Sequence, residues 1–162
     1  DGGACHLPGC GKGFYGKVHF KNTAVGVMVL DEQLNTYLVG QYRFALSAYS
    51  WEIPEGGAPI GTDPLEGAKR ELLEETGLMA KTWRMLHTLH LSNSVTDELA
   101  IVYLATGLTQ HEAAPEETEQ LVVKKFSFEE VYQMAENGAI TDVISVAAII
   151  KVRLLLAEGK LK

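Results

Sequence analysis

The chain has 162 residues, 46% of them hydrophobic, and a formal net charge of −7. This length and composition predict one globular domain with a sizeable core. The negative charge, without a basic stripe, argues against binding to a phosphate backbone, so we expect no nucleic acid partner. No apolar run reaches the length of a membrane span and no secretory signal is visible, so we expect no membrane partner and a cytoplasmic location.

The first 16 residues are rich in glycine and predict a loop-like lead-in segment, ahead of a single domain over residues 17–162. Cys5 and Cys10 lie in this segment. A zinc half-site or a local disulfide would use both thiols, but no second pair of ligands completes a zinc site. We therefore favour two incidental thiols.

The next part of the chain predicts strands that lead into a glycine-rich loop. β-Branched and alternating apolar residues indicate strands over residues 18–30, with a break near Gly26, over 36–42 and over 50–53. Three glycines within residues 56–61 then predict a sharp turn whose backbone carbonyls can approach a ligand.

The first helix is predicted by signals at both of its ends. Asp63 is a suitable N-cap, Pro64 suits the first helical position, and Gly77 can adopt the left-handed conformation that ends a helix. Apolar residues at i, i+3 and i+7 form the face that we expect to be buried, namely Leu65, Ala68 and Leu72.

Another face of this helix carries three carboxylates. Glu71, Glu74 and Glu75 stand at i, i+3 and i+4, where like charges repel each other. A cation is expected to neutralise them, and oxygen ligands without thiols or imidazoles favour Mg²⁺ or Mn²⁺. Arg70 can pair with Glu74 at i+4 and hold that carboxylate in place.

The remainder of the chain predicts strands and two more helices. Strands are expected over residues 82–91, 98–105 and 121–126, a polar loop over 92–96, an acidic loop over 111–119, and helices over 128–136 and from Thr141 or Asp142 to about 157. Few helices among many strands predict an α/β fold with a mixed β-sheet between helices.

The segment Gly56 to Leu78 resembles the signature of the Nudix hydrolases. That signature is Gly, five residues, Glu, seven residues, then Arg-Glu-apolar-X-Glu-Glu-X-Gly-apolar, and residues 70–78 match every defined position of its second half. Thr62 departs from it by replacing the first Glu, which implies fewer bound ions or a substitute ligand such as Glu55. The resemblance implies a Nudix-type α/β/α sandwich in which the three helix glutamates and the Gly57 carbonyl bind the metal.

The flanking segments resemble the ADP-ribose pyrophosphatase branch of that family, which also acts on other nucleoside diphosphate sugars. Residues 41–44 and 49–57 carry this likeness, which implies that Arg43 clamps the diphosphate. Glu52 is a further candidate for substrate binding, and so is Trp51, because an aromatic face can stack on any nucleobase. Trp51 can equally be a core tryptophan. The acidic loop is assigned two roles by the same likeness, with Glu117 as the base that activates water and Glu119 as a further carboxylate near the metal. Arg70 and Glu75 complete the expected catalytic group. The loop over 92–98 occupies a position close to the substrate, without roles for its individual residues.

The resemblance implies Mg²⁺-dependent hydrolysis of ADP-ribose to AMP and ribose 5-phosphate by a homodimer, with Mn²⁺ as an alternative ion. One alternative is another nucleotide sugar, such as GDP-mannose, or a dinucleotide as the substrate. The other is a non-catalytic Nudix-fold domain that binds a nucleotide or a protein. Thr62 is the residue that supports this last hypothesis.

Overall fold

The computed structural model describes residues 2–6, 12–113 and 121–161. Within these ranges the strands are β1 Gly2–His6, β2 Lys12–Gly16, β3 Asn22–Leu30, β4 Asn35–Arg43, β5 Ala48–Glu52, β6 Glu55–Pro59, β7 Leu78–His90, β8 Leu99–Gln110 and β9 Val122–Ser127. The helices are α1 Pro64–Thr76, α2 Phe128–Glu136 and α3 Val143–Ala157, and a single 3₁₀ turn spans Phe44–Leu46. No helix in these ranges is long and apolar enough to cross a membrane.

The strands β3 to β9 form two sheets. The first has the strand order β6-β3-β8-β7 and is mixed, because β3 and β8 run parallel while the other pairs are antiparallel. The second has the order β5-β4-β9 and is antiparallel. Helix α1 packs on one face of the first sheet and α3 on the other, so the predicted α/β/α sandwich with a mixed sheet is confirmed.

Strand β3 lies at the centre of this sandwich and is buried on both faces. Its side chains alternate, so that Val25, Val27 and Val29 face α1 while Met28 and Leu30 face the core beneath α3. The apolar face of α1 contributes Ala68 and Leu72 as predicted, and Leu65 packs at its margin. The two cores therefore fix α1 and α3 relative to the same strand.

Helix α1 begins and ends where its sequence predicts. Asp63 accepts a hydrogen bond from the Leu65 N–H at 2.9 Å, and Pro64 is the first helical residue. Gly77 takes a φ of 70° and donates to the Leu73 carbonyl at 2.8 Å. A side chain at position 77 would overlap the His111 carbonyl, so glycine is required there for two reasons.

Three expectations about local structure were wrong. The described parts of the first 16 residues form an antiparallel hairpin of β1 and β2 instead of a loop. Cys10 lies outside the described residues, so the interpretation of the two thiols stays a prediction. Gly56 and Gly57, which were expected to form a sharp turn, instead lie in the extended strand β6, which pairs with β3. Strand β3 continues through Gly26, where the missing side chain makes room for Ile144 and Ile53.

Candidate functional site

The predicted carboxylate face of α1 lies against strand β6. Arg70 donates to Glu74 at 2.9 Å, which confirms the predicted i, i+4 pair, and it also donates to Glu71 at 2.7 Å. A third hydrogen bond of 2.9 Å joins Arg70 to the Gly57 carbonyl. One guanidinium thus compensates part of the repulsion between the glutamates and ties the helix to β6.

Two backbone N–H groups of β6 also bind these carboxylates. Glu71 accepts from the Gly57 N–H at 3.2 Å, and Glu75 accepts from the Glu55 N–H at 3.0 Å. A Cβ atom at position 56 would overlap the Glu71 carboxylate, so Gly56 is what lets the helix approach the strand this closely. Burial raises the pKa of Glu71 more than Arg70 and the Gly57 N–H lower it.

A cleft of about 770 Å³ opens beside this contact and is lined by β3 to β6, the end of α1 and the beginning of α3. Five carboxyl side chains lie on its walls, namely Glu52, Glu55, Glu75, Glu98 and Asp142. Among the described residues that line it, Arg43 is the one cationic side chain. An anionic substrate therefore needs added positive charge to enter this cleft.

Arg43 is held in the cleft by a buried carboxylate. Its Nε donates to Glu52 Oε1 at 2.9 Å, and its Nη2 forms a short second bond to Glu52 Oε2. Only 4% of the Glu52 side chain is exposed, compared with 41% for Arg43. Burial alone would raise the pKa of Glu52, but hydrogen bonds from Arg43 and Ser50 outweigh it and hold the pKa below its ordinary value.

Glu55 has the opposite electrostatic environment. Its Oε1 atom is buried without a hydrogen bond among the described residues, and Arg43 Nη2 is 3.9 Å away. Burial and the charges of Asp142 and Glu52 raise its pKa well above its ordinary value. An unsatisfied buried oxygen of this kind is a suitable partner for a cation or a donor that enters the cleft.

The carboxylates fit a divalent ion by their chemistry. Within the described residues, no three His, Cys, Asp or Glu side chains converge on one point, and Glu71, Glu74 and Glu75 are instead hydrogen-bonded to Arg70 or to the backbone of β6. All three are nevertheless hard oxygen donors on one helix face. Such a donor set suits Mg²⁺ or Mn²⁺.

The structure places the other predicted residues as follows. Trp51 does not line the cleft but makes edge-to-face contacts with Tyr49 and Phe126, at centroid distances of 5.6 and 5.5 Å. Thr62 lies in an exposed turn, where its hydroxyl donates to the Pro59 carbonyl at 2.7 Å. Glu117 and Glu119 lie outside the described residues, so their roles stay predictions.

Two cleft residues had no assigned role in the sequence analysis. Asp142 was predicted only as a helix cap, and it does accept a hydrogen bond from the Ser145 N–H at 2.7 Å while it lines the cleft. Glu98 is the last residue of the loop over 92–98, whose residues received no individual roles. Sequence patterns indicated no direction for either side chain, since Glu98 and Asp142 come from segments that are distant from each other along the chain.

An α/β/α sandwich whose glycine-rich strand contacts a helix with an Arg-Glu-apolar-X-Glu-Glu signature defines a class of phosphate-processing domain. The family model described as the NUDIX domain matches residues 20–145. The chain belongs to the Nudix family, whose hydrolases generally need a divalent metal.

Three curated relatives share this domain. The ADP-ribose pyrophosphatase of Mycobacterium tuberculosis is 33% identical over 132 residues, which are 80% of this chain and 64% of the relative. The methanol dehydrogenase activator of Bacillus methanolicus and the ADP-ribose pyrophosphatase of Bacillus subtilis are 32% and 31% identical over 128 residues, in each case 78% of this chain and 69% of the relative. The chain thus spans about two thirds of the length of these relatives.

A solved structure supports the fold assignment independently. The crystal structure of an ADP compounds hydrolase superposes with a TM-score of 0.82 at 18% sequence identity. The match covers 99% of this chain and 95% of that chain. At this level of identity the likeness concerns the fold alone.

Proposed function

We propose that the protein hydrolyses the diphosphate bond of a nucleoside diphosphate sugar, with ADP-ribose as the substrate and AMP and ribose 5-phosphate as the products. The observation that carries this proposal is the cleft in which Arg43 and the Nudix glutamate Glu75 lie together. Two relatives named ADP-ribose pyrophosphatase support the choice of substrate.

The metal in this proposal is Mg²⁺, with Mn²⁺ as the alternative, held by Glu71, Glu74 and Glu75, the Gly57 carbonyl and Glu119. When bound, such an ion neutralises negative charge on the diphosphate. The donor chemistry of the three helix glutamates supports the assignment, whereas Glu119 lies outside the described residues. Arg70 acts as a positioning residue, because its three hydrogen bonds hold two of the glutamates and the Gly57 carbonyl.

The protein side chains then have distinct roles. Arg43 donates to the phosphate oxygens through the part of its guanidinium that Glu52 does not occupy, and Glu52 fixes its orientation. Glu117 takes the proton of the attacking water in this proposal. The Trp51 ring packs between Tyr49 and Phe126, so a role for it in base stacking requires a rearrangement of that contact.

We also propose a homodimer that acts in the cytoplasm on a small-molecule substrate. Residues 17–162 would form the Nudix domain, with residues 1–16 as a separate segment. Strands β1 and β2 pair only with each other among the described strands, which supports this division. Large exposed apolar side chains, such as Phe14 and Phe44, support self-association.

The second candidate function is nucleotide binding without catalysis, by a domain of the same fold. A non-catalytic nucleotide-binding domain would explain why Thr62 stands at the position of the first signature glutamate. Thr62 lies in an exposed turn and bonds only to its own loop among the described residues, so its presence leaves the α1 carboxylates intact. This arrangement favours the enzyme over the binding module.

The test is product analysis after incubation with ADP-ribose and Mg²⁺, compared with the same reaction in EDTA. Metal-dependent release of AMP and ribose 5-phosphate is the expected result. Turnover of GDP-mannose or a dinucleotide with a higher kcat/KM would change the substrate assignment. Tight nucleotide binding without turnover of any of these compounds would support the non-catalytic module.

A further inference from the structure

Glu98 is a carboxylate in the cleft that the proposed reaction does not use. It directly precedes β8, whereas the metal-binding segment includes β6. Strand β3 lies between them, with Ala24 in register with Gly57 on one side and Ala100 on the other. Because neighbouring strands are about 4.8 Å apart, β6 and β8 are separated by about 10 Å. This distance leaves room for a sugar beyond the diphosphate.

The Glu98 side chain lacks a partner among the described residues. It forms no hydrogen bond or ion pair with any residue in the described part of the chain, although its backbone N–H donates to Thr96 Oγ1 at 3.4 Å. Burial is the one cause that raises its pKa. The carboxylate oxygens are therefore not taken up by a donor of the described chain and are open to one that a ligand supplies.

The preceding residue, Asp97, fixes the loop that leads to Glu98. Asp97 contacts Lys17 at 2.8 Å and His19 at 2.7 Å, and it accepts from the Phe20 N–H at 3.1 Å. The loop is also joined to Val18 by two backbone hydrogen bonds. The Glu98 carboxylate is therefore presented to the cleft from a positioned backbone, as a preorganised binding group requires.

The chemistry of an ionised carboxylate decides what it can bind. An ionised carboxylate accepts hydrogen bonds and repels phosphate. Among the described residues, no cationic side chain pairs with Glu98 to offset that repulsion. The sole aromatic side chain among the described lining residues is Phe44, next to Arg43, which favours that rim for the nucleobase. The sugar joined to the other phosphate then lies towards Glu98.

We propose that Glu98 accepts hydrogen bonds from the hydroxyl groups of the terminal sugar and so selects sugar-bearing diphosphates. This inference rests on the proposed function and adds a specificity-determining residue to it. A carboxylate can accept hydrogen bonds from two neighbouring sugar hydroxyls at once. A substrate with an alkyl group in place of the sugar has no hydroxyls to donate.

The experiment compares two substrates that differ only at the terminal group. These are ADP-ribose and the ethyl ester of ADP, in which an ethyl group replaces the terminal ribose. Steady-state kinetics are measured for the wild type, Glu98→Ala, Glu98→Gln and the control Glu32→Ala, which removes an exposed carboxylate outside the cleft. Binding of Mn²⁺ to each protein is measured separately by electron paramagnetic resonance.

Glu98→Ala is expected to lower kcat/KM for ADP-ribose by about 10- to 100-fold, mainly through KM, and to change that of the ethyl ester less than about 3-fold. Glu98→Gln keeps one acceptor oxygen and should lose less, and Mn²⁺ affinity should be unchanged in both variants. Equal losses on the two substrates, or weakened Mn²⁺ binding, would refute this inference while the proposed function stands. A wild-type protein that hydrolyses neither compound would refute both.

Discussion

At the scale of single residues, the cleft shows how position controls two identical carboxyl groups. Glu52 and Glu55 are three residues apart, and both are largely buried. Glu52 accepts hydrogen bonds from Nε and Nη2 of Arg43 and its pKa is lowered, whereas the Oε1 atom of Glu55 accepts none from the described residues and the pKa of Glu55 is raised. Hydrogen-bond partners, not burial alone, therefore set the charge of each group.

This contrast predicts opposite effects of two conservative substitutions. The raised pKa of Glu55 means that its stability contribution is present below its ordinary value of 4.5 and is lost as the pH rises through the folded-state value. Glu55→Gln cannot ionise, so it should gain about 1–3 kcal/mol over the wild type at pH 9 and less at pH 5. Urea denaturation in EDTA at both pH values measures the difference.

Glu52→Gln is the matched comparison. Because the pKa of Glu52 is lowered, its contribution is present above its ordinary value of 4.5 and is lost as the pH falls through the folded-state value. This variant should be less stable than the wild type at pH 9, with a smaller deficit at pH 4. The same sign for both variants at pH 9 would contradict the electrostatic assignment of the cleft.

The proposed metal site predicts a loss of activity without a loss of fold. Glu74→Gln keeps an oxygen for Arg70 but removes one charge from a side chain that is 34% exposed. It should lower kcat by about 100-fold or more, since charge stabilisation in a transition state has effects of this size. Thermal unfolding should shift by no more than about 4 °C. Glu66→Gln on the same helix, where Glu66 pairs with Lys69 at 2.7 Å, is the control and should retain normal turnover. Near-normal turnover of Glu74→Gln would remove the metal assignment.

At the scale of elements, Gly26 is the point where strand β3 meets helix α3. A Cβ atom at this position would lie 2.5 Å from Ile144 Cγ2 and 3.2 Å from Ile53 Cδ1. Ile144 is β-branched, so its Cγ2 atom cannot move away without a change of rotamer. Ile144 also lines the cleft, which means that the packing of α3 on this strand shapes the site.

Gly26→Ala should therefore destabilise the protein by about 1–3 kcal/mol through overpacking. Chemical denaturation measures this change, and Gly16→Ala is the control because a Cβ built there meets no heavy atom of a non-adjacent described residue within 4 Å. Combination with Ile144→Ala, which removes the opposing methyl group, should cost less than the sum of the two single changes. Strictly additive losses would show that the two positions are not in contact.

The elements that were predicted correctly carry local signals, and those that were missed do not. Helices α1 and α3 begin or end at Asp63, Gly77 and Asp142, which form hydrogen bonds to nearby backbone. The spacing of the sequence encodes such local bonds directly. Strand β6 was missed because glycine and proline disfavour strands, and its pairing with β3 depends on contacts 30 or so residues away along the chain. The hairpin of β1 and β2 was missed because four of its ten strand residues are glycine, which disfavours strands.

The candidate site divides in the same way. The Arg70–Glu74 pair follows from the helical period and could be predicted from the sequence. The meeting of Glu52, Glu98 and Asp142 in one cleft arises from the packing of two sheets and a helix, so no spacing in the sequence encodes it. The acidic character of the whole cleft is therefore a property that only the folded chain reveals.

At the scale of the whole molecule, two features are unusual for a small monomeric domain. Five of the carboxyl groups behind the net charge of −7 are gathered on the cleft walls. Several large apolar side chains are exposed, including Phe14 at 96% and Phe44 at 89% of their surface. Phe44 and Leu46 also line the cleft, so a partner that covers these side chains would narrow its entrance.

The proposed homodimer gives this exposed surface a defined occupant and a direct test. Sedimentation velocity should show a species of twice the 17.7 kDa of one chain, and the double variant Phe14→Ser/Phe44→Ser should shift it towards the monomer. Met85→Ser, which alters another exposed apolar residue on β7, is the control and should leave the dimer intact. If the partner shapes the cleft entrance, KM for ADP-ribose should rise at protein concentrations where the dimer dissociates. A wild-type protein that remains monomeric at all concentrations, with a constant KM, would refute the dimer and leave the cleft as a site built by one chain.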